Sequence, residues 1–163
     1  VLVVDDDASV RQSVSRVLTA SGYRVLTASD GAEALGVFRR ETIDLVLLDI
    51  GLPLKSGWET FERLTTENPF LPVIVITGKC GNTEMACAAG VGALMEKPLD
   101  VEALLETVRR LLLEVNEVRL SRLSGLRHDV QRIPSSSASI RQELRERSTA
   151  SLDCEGSGQK GGS

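Results

Sequence analysis

The sequence predicts an α/β protein in which a parallel sheet is covered by helices on both faces. Three observations predict it. Short, β-branched apolar runs alternate with longer stretches of helical period across residues 1 to 100. The runs have the near-continuous apolar character of strands buried on both sides. Glycines and short polar side chains punctuate the boundaries between runs, where turns and helix starts are needed. The length of 163 residues allows one core of ordinary size plus an appendage.

The first strand is expected at Val1 to Val4, with a helix starting near Ser9. Gly22 marks a turn into the second strand, Arg24 to Ala28, and Asp30 starts the second helix. Leu45 to Leu48 form the third strand, followed by a turn at Gly51 and a helix near Gly57. Val73 to Thr77 form the fourth, with Gly78 at its end and a helix near Asn82. After Gly90 comes the fifth strand, Ala93 to Met95, and then a helix from Asp100. Ser, Asp and Asn suit these starts because their side-chain oxygens accept hydrogen bonds from the unpaired amides of a first turn. With right-handed crossovers, five strands and five helices give a doubly wound, five-stranded sheet in the flavodoxin-like order 2-1-3-4-5.

The last helix is expected to extend into a tail. Val101, Leu104, Val108, Leu111, Val115 and Val118 recur at alternating spacings of three and four. A second series, Leu123, Leu126, Val130 and Ile133, follows out of phase. These features divide the chain into a domain at 1–117, a helical extension or linker at 118–134 and a disordered tail at 135–163. Residues 1–117 carry 18 acidic and 11 basic side chains, whereas 118–163 carry 5 and 8. The Ser- and Gly-rich end has too little apolar area to offset the entropy of ordering.

Several classes of protein are set aside at this point. No apolar run approaches the roughly 20 residues of a membrane span, and the longest ones have strand length and lack a basic leader. Cys80, Cys87 and Cys154 are odd in number and lack CxxC spacing. They read as reduced thiols of a cytoplasmic protein. The chain begins at Val1, already inside an apolar run, so a natural start further upstream is expected. Residues 118–163 have seven arginines but no aromatic residue and no legible helix-turn-helix, so nucleic-acid binding is not expected.

In an open, doubly wound sheet, ligands bind beyond the carboxyl ends of the strands. There the first strand runs into Asp5, Asp6 and Asp7, the third into Asp49, the fourth into Thr77 and the fifth towards Lys97 and Pro98. Any one of these would pass as an ordinary loop residue. Several acids converging on one mouth repel one another unless a cation neutralises them. A hard divalent cation with oxygen ligands, magnesium above all, suits the set and leaves positions open for water and phosphate oxygens. The lysine and the threonine hydroxyl complete a clamp for a phosphoryl group.

The segments VLVVDDD, DLVLLDIGLP followed by Gly57, VIVITG and MEKPL, in this order and at these separations, resemble the receiver domain of bacterial two-component response regulators, the CheY-like phosphoacceptors. The resemblance covers roughly residues 1 to 117. It implies that Asp49 is the phosphoacceptor and that magnesium is held by Asp6, Asp49 and the main-chain carbonyl of Gly51, with Asp5 acting through water. It implies that Thr77 and Lys97 contact the phosphoryl group and that the Lys97–Pro98 bond is cis. The implied donor is a histidine kinase or histidine phosphotransfer protein. Such a chain is a signalling switch that catalyses its own phosphorylation and slow dephosphorylation, and it acts on an output partner through protein contacts.

Two departures concern that output. Leu94 stands where the family commonly has an aromatic ring that moves with the threonine, and the segment from Thr77 to Lys97 is slightly short. The heptad-like series ending at Val118 suggests a homodimer through the extended last helix. His128 followed by Asp129 resembles a histidine-kinase phosphoacceptor box, but no ATP-binding region follows, and a solvated histidine is the simpler reading. Asp5, Asp7 and Ser9 approximate the nucleophile loop of haloacid-dehalogenase phosphatases. That reading lacks a later acidic pair and leaves Asp49 without a role. A receiver fold that works without phosphorylation is a further alternative, and intact Asp49, Thr77 and Lys97 speak against it.

Overall fold

The computed structural model describes residues 1–52, 57–78, 89–114, 116–123 and 131–133. The elements run β1 (Leu2–Val4), α1 (Ala8–Ala20), β2 (Leu26–Ala28), α2 (Gly31–Arg40), β3 (Val46–Asp49), α3 (Gly57–Glu67), β4 (Val73–Thr77), β5 (Ala93–Glu96), α4 (Val101–Leu113), α5 (Asn116–Leu123) and β6 (Gln131–Ile133). The five expected strands pair in parallel in the expected order 2-1-3-4-5. A sixth short strand, which was not expected, lies parallel to β5 at the sheet edge. The helix expected near Asn82 lies outside the described residues, as do His128 and the tail from 134 onward.

Strand periodicity divides the core into two layers. Leu2, Val4, Val46, Leu48, Val73, Val75 and Leu94 turn to the face covered by α2 and α3. Their neighbours Val3, Leu47, Ile74, Ile76, Ala93 and Met95 turn to the face covered by α1 and α4. Both sets are buried, which explains why the strands read as continuous apolar runs.

The helix starts follow from capping. Asp30 accepts hydrogen bonds from the amides of Ala32 and Glu33 at the start of α2, and Asp100 accepts one from Ala103 at the start of α4. At α1 the cap is Asp7 rather than Ser9. Asp7 Oδ1 accepts from both the amide and the hydroxyl of Ser9 at 2.8 Å, so the serine is a donor in the first turn.

The expected continuous last helix is not what forms. α4 ends at Leu113, Glu114 adopts an extended conformation (φ −66°, ψ 129°), and α5 begins separately at Asn116. Of the expected 118–134 extension, the described residues are those up to Leu123, in α5, and Gln131–Ile133, in β6. Leu104, Val108 and Leu111 are buried against the sheet, and Gly92 makes room for Leu111: a Cβ there would come within 2.9 Å of it. Beyond Leu111 the helix leaves that apolar surface, and Leu113 is 75% exposed. Periodicity alone does not keep a helix straight once no surface holds its apolar face.

Candidate functional site

The strands deliver their polar ends to one mouth. β1 leads into Asp5, β3 ends on Asp49, β4 ends on Thr77, and β5 is followed directly by Lys97. Register sets their heights: Asp49 pairs with Ile76, and Thr77 with Glu96. The amide of Lys97 donates to the carbonyl of Thr77 at 2.9 Å, which ties the lysine to the end of β4. The Lys97–Pro98 peptide bond is cis, as the resemblance implied.

Asp5 and Asp49 are 0% and 5% exposed, and Asp6 is exposed beside them. One carboxylate oxygen from each of the three lies within 4.8 Å of the others. Buried carboxylates need partners. The ammonium of Lys97 supplies two contacts, at 2.7 Å to Asp49 Oδ2 and 2.8 Å to Asp5 Oδ2. The Gly51 amide donates to Asp49 Oδ1 at 2.7 Å, and the Asp7 amide to Asp5 Oδ1 at 2.9 Å. Burial works to lower the Lys97 pKa, but hydrogen bonds and charge attraction from Asp49 and Asp5 outweigh it and hold the pKa above the ordinary lysine value. The ammonium is therefore a permanent charge at neutral pH.

The acidic set fits a small, hard dication. Three carboxylates supply oxygen donors at a spacing that modest closure would bring into one coordination shell, with water filling the remaining positions. Asp5 Oδ2 is fully buried and faces the Lys97 ammonium at 2.8 Å, so it keeps acceptor capacity for a further partner.

Two supporting residues were not legible as such in the sequence. Gly57 lets α3 start directly under the Asp49 turn, where a Cβ would lie 2.3 Å from the Ile50 Cα and 2.6 Å from the Asp49 carbonyl oxygen. Arg11, on α1, donates to the Asp5 carbonyl at 2.5 Å. The glycine's place after the aspartate was a signal, but its reason is a contact between segments. Beside the mouth, α1 and the start of α4 frame a cavity of about 300 Å³ whose lining includes Val10, Val14, Val17, Leu99 and Leu104. Leu94 is buried on the opposite face of the sheet, among the side chains packed towards α2 and α3.

A doubly wound α/β sandwich with an acidic, lysine-bridged mouth defines the class. Residues 1–109 match the model of the response regulator receiver domain, and the chain belongs to that family. It is 37% identical over 114 residues to the probable transcriptional regulatory protein TcrX of Mycobacterium tuberculosis, an alignment covering 69% of this chain and 49% of that protein. It is likewise 37% identical over 114 residues to the response regulator MprA of Mycobacterium leprae, covering 69% of this chain and 50% of the relative. The chain thus spans about half the length of these curated relatives. Among solved structures, a CheY-like receiver domain protein from Methanospirillum hungatei JF-1 superposes with a TM-score of 0.66 at 30% identity, covering 74% of this chain and 94% of that one. The receiver domain of NtrX from Brucella abortus gives 0.65 at 33% identity, covering 70% and 98%. No helix among the described residues is long and apolar enough to cross a membrane.

Proposed function

We propose that this chain is a cytoplasmic phosphorelay switch in which Asp49 accepts a phosphoryl group from a phosphohistidine on a histidine kinase or histidine phosphotransfer protein. The observation that carries the reading is the Lys97 ammonium held between Asp49 and Asp5, within a cluster of three carboxylates at the strand ends. In transfer, a carboxylate oxygen of Asp49 attacks phosphorus in line, the phosphorus–nitrogen bond to the donor imidazole breaks, and the imidazole keeps the electron pair and takes up a proton. Lys97 is already 2.7 Å from Asp49 Oδ2, so a small movement carries it onto the phosphoryl oxygens. The Gly51 amide holds the other carboxylate oxygen in place. Thr77, at the end of β4, would turn its hydroxyl towards the phosphoryl group. Magnesium, held by Asp6, Asp49 and the Gly51 main-chain carbonyl with Asp5 through water, would offset charge on the phosphoryl oxygens. The apolar cavity beside α1 offers a partner helix a landing surface next to the acceptor. Hydrolysis of the acyl phosphate returns the switch to its starting state, and output passes through protein contacts.

The test is incubation with a small phosphodonor such as acetyl phosphate, with magnesium or with excess chelator. The proposal expects a single hydroxylamine-sensitive acyl phosphate that forms only with the metal. Steady turnover of phosphomonoesters would mark a phosphatase, and no reaction at all would mark a phosphorylation-independent module. Acceptance undiminished in chelator would remove the magnesium assignment.

A further inference from the structure

We propose that the outer edge of β5 is a strand-exchange interface between two copies of this chain, in which segment 131–133 of each copy pairs with β5 of the other. Three observations carry it, none of which involves phosphoryl chemistry. First, the edge accepts this segment. Gln131, Arg132 and Ile133 pair in parallel with Ala93, Leu94 and Met95, and Ile133 is buried in the layer formed by Met95, Leu104 and Leu111. An uncovered β5 would present unpaired backbone groups, which a strand of matching register relieves.

Second, within one chain α4 would lie on the side of the sheet that gives a left-handed step from β5 to β6. Passing from β3 to β4 and from β5 to β6 moves outward across the sheet in the same direction. The helix between β3 and β4 lies on the α2 face, whereas α4, between β5 and β6, lies on the α1 face. Two steps in one direction with helices on opposite faces have opposite hands. Parallel crossovers are right-handed in about 98% of cases, so the hand of β3–α3–β4 leaves β5–α4–β6 left-handed. When the strand comes from a second copy, it is no longer joined to the β5 it pairs with, and the constraint disappears.

Third, the connecting region exposes apolar side chains. Val101, Leu113 and Leu120 are 51%, 75% and 48% exposed, and all lie on α4 or α5. The break at Glu114, between the two helices, is a natural hinge for exchange. A second copy crossing there would cover these side chains.

The test uses the full chain with Cys80, Cys87 and Cys154 replaced by serine, plus Ala93→Cys and Gln131→Cys at the paired positions. Unlabelled and nitrogen-15-labelled chains are mixed when dilute, concentrated, oxidised and digested. The proposal expects disulfide-linked peptides of hybrid mass, one light and one heavy. Linked peptides of uniform mass alone would place the pairing within a chain and overturn it, and so would the absence of any link. By sedimentation, the unmodified chain should approach twice its 17.6 kDa mass with rising concentration. Ile133→Asp should stay at the single-chain mass and Ile133→Val should associate like the original. Association unchanged in a folded Ile133→Asp chain would also overturn the proposal, and the disulfide readout decides the matter should that variant fail to fold.

Discussion

The mouth of the sheet and its β5 edge are built from the same kind of strand, yet they differ in what holds them. At the mouth, Lys97, Asp5, Asp49 and Gly51 are locked by several short polar contacts, each to a residue on a neighbouring strand or turn. At the edge, β6 contributes three backbone pairings and one buried apolar side chain, Ile133. The contrast teaches that precision here goes where charge must be placed, while the edge carries a shallower contact that another chain can replace. Burial of charge makes the mouth costly to alter in any direction. Burial of one isoleucine makes the edge exchangeable.

The contrast can be broken or sharpened by substitution. The largest effect on stability is expected for Leu47→Ala, because Leu47 is fully buried beneath the mouth on the central strand. It should cost about 2–5 kcal/mol in urea unfolding. Ile133→Ala, at the edge, should cost less, near the lower end of that range at about 2 kcal/mol, because Ile133 keeps some exposure on a three-residue edge strand. Equal losses would erase the distinction.

Lys97→Met should cost about 1–3 kcal/mol at neutral pH, since it leaves Asp5 and Asp49 buried without their shared cation, with the lysine's partial exposure limiting the loss. Added magnesium should recover much of it and should bind this variant several-fold more tightly than the original chain, as calorimetry would show. A variant indifferent to magnesium would argue against the cation site. The pH dependence follows from the raised Lys97 pKa, set by burial opposed and outweighed by Asp49 and Asp5. A raised lysine pKa contributes stability that is fully present below its unfolded value and lost as pH rises through the folded value. The stability gap between the original chain and Lys97→Met should therefore stay level from neutral pH to mildly alkaline conditions and close only above about pH 10.5. The smallest effect is expected for Asp7→Ala, which removes the α1 cap and should lower the midpoint of thermal unfolding only slightly.

The same contrast explains what could be read from the sequence. Each strand of the mouth announces itself locally, as an apolar run ending in a polar residue, so β1 to β5 and the convergence of Asp5, Asp6, Asp49, Thr77 and Lys97 were legible within a residue or two. Their roles rest on the family resemblance. The α1 start was expected at Ser9, whereas Asp7 is the cap, because both residue types cap well and only the fold decides which side chain receives the amides. The break at Glu114 was hidden because the apolar spacing continues after the supporting surface has ended. β6 was hidden for a similar reason: three residues with one apolar side chain have no periodicity to detect, and their partner lies more than thirty residues away in sequence. Gly57 was visible as a residue, while the close approach to Asp49 that requires glycine was not.

The most direct test of the central claim is site-mapped mass spectrometry of the original chain and Asp49→Asn, each treated with acetyl phosphate and magnesium and digested under acid conditions that preserve acyl phosphates. The account predicts one phosphoryl group on the peptide bearing Asp49 in the original chain. It predicts none in Asp49→Asn, whose circular dichroism and unfolding should remain those of a folded domain, because the substitution removes a charge from a crowded cluster without changing its shape. A phosphoryl group retained at a single site in the folded variant would contradict the assignment of Asp49 as the acceptor.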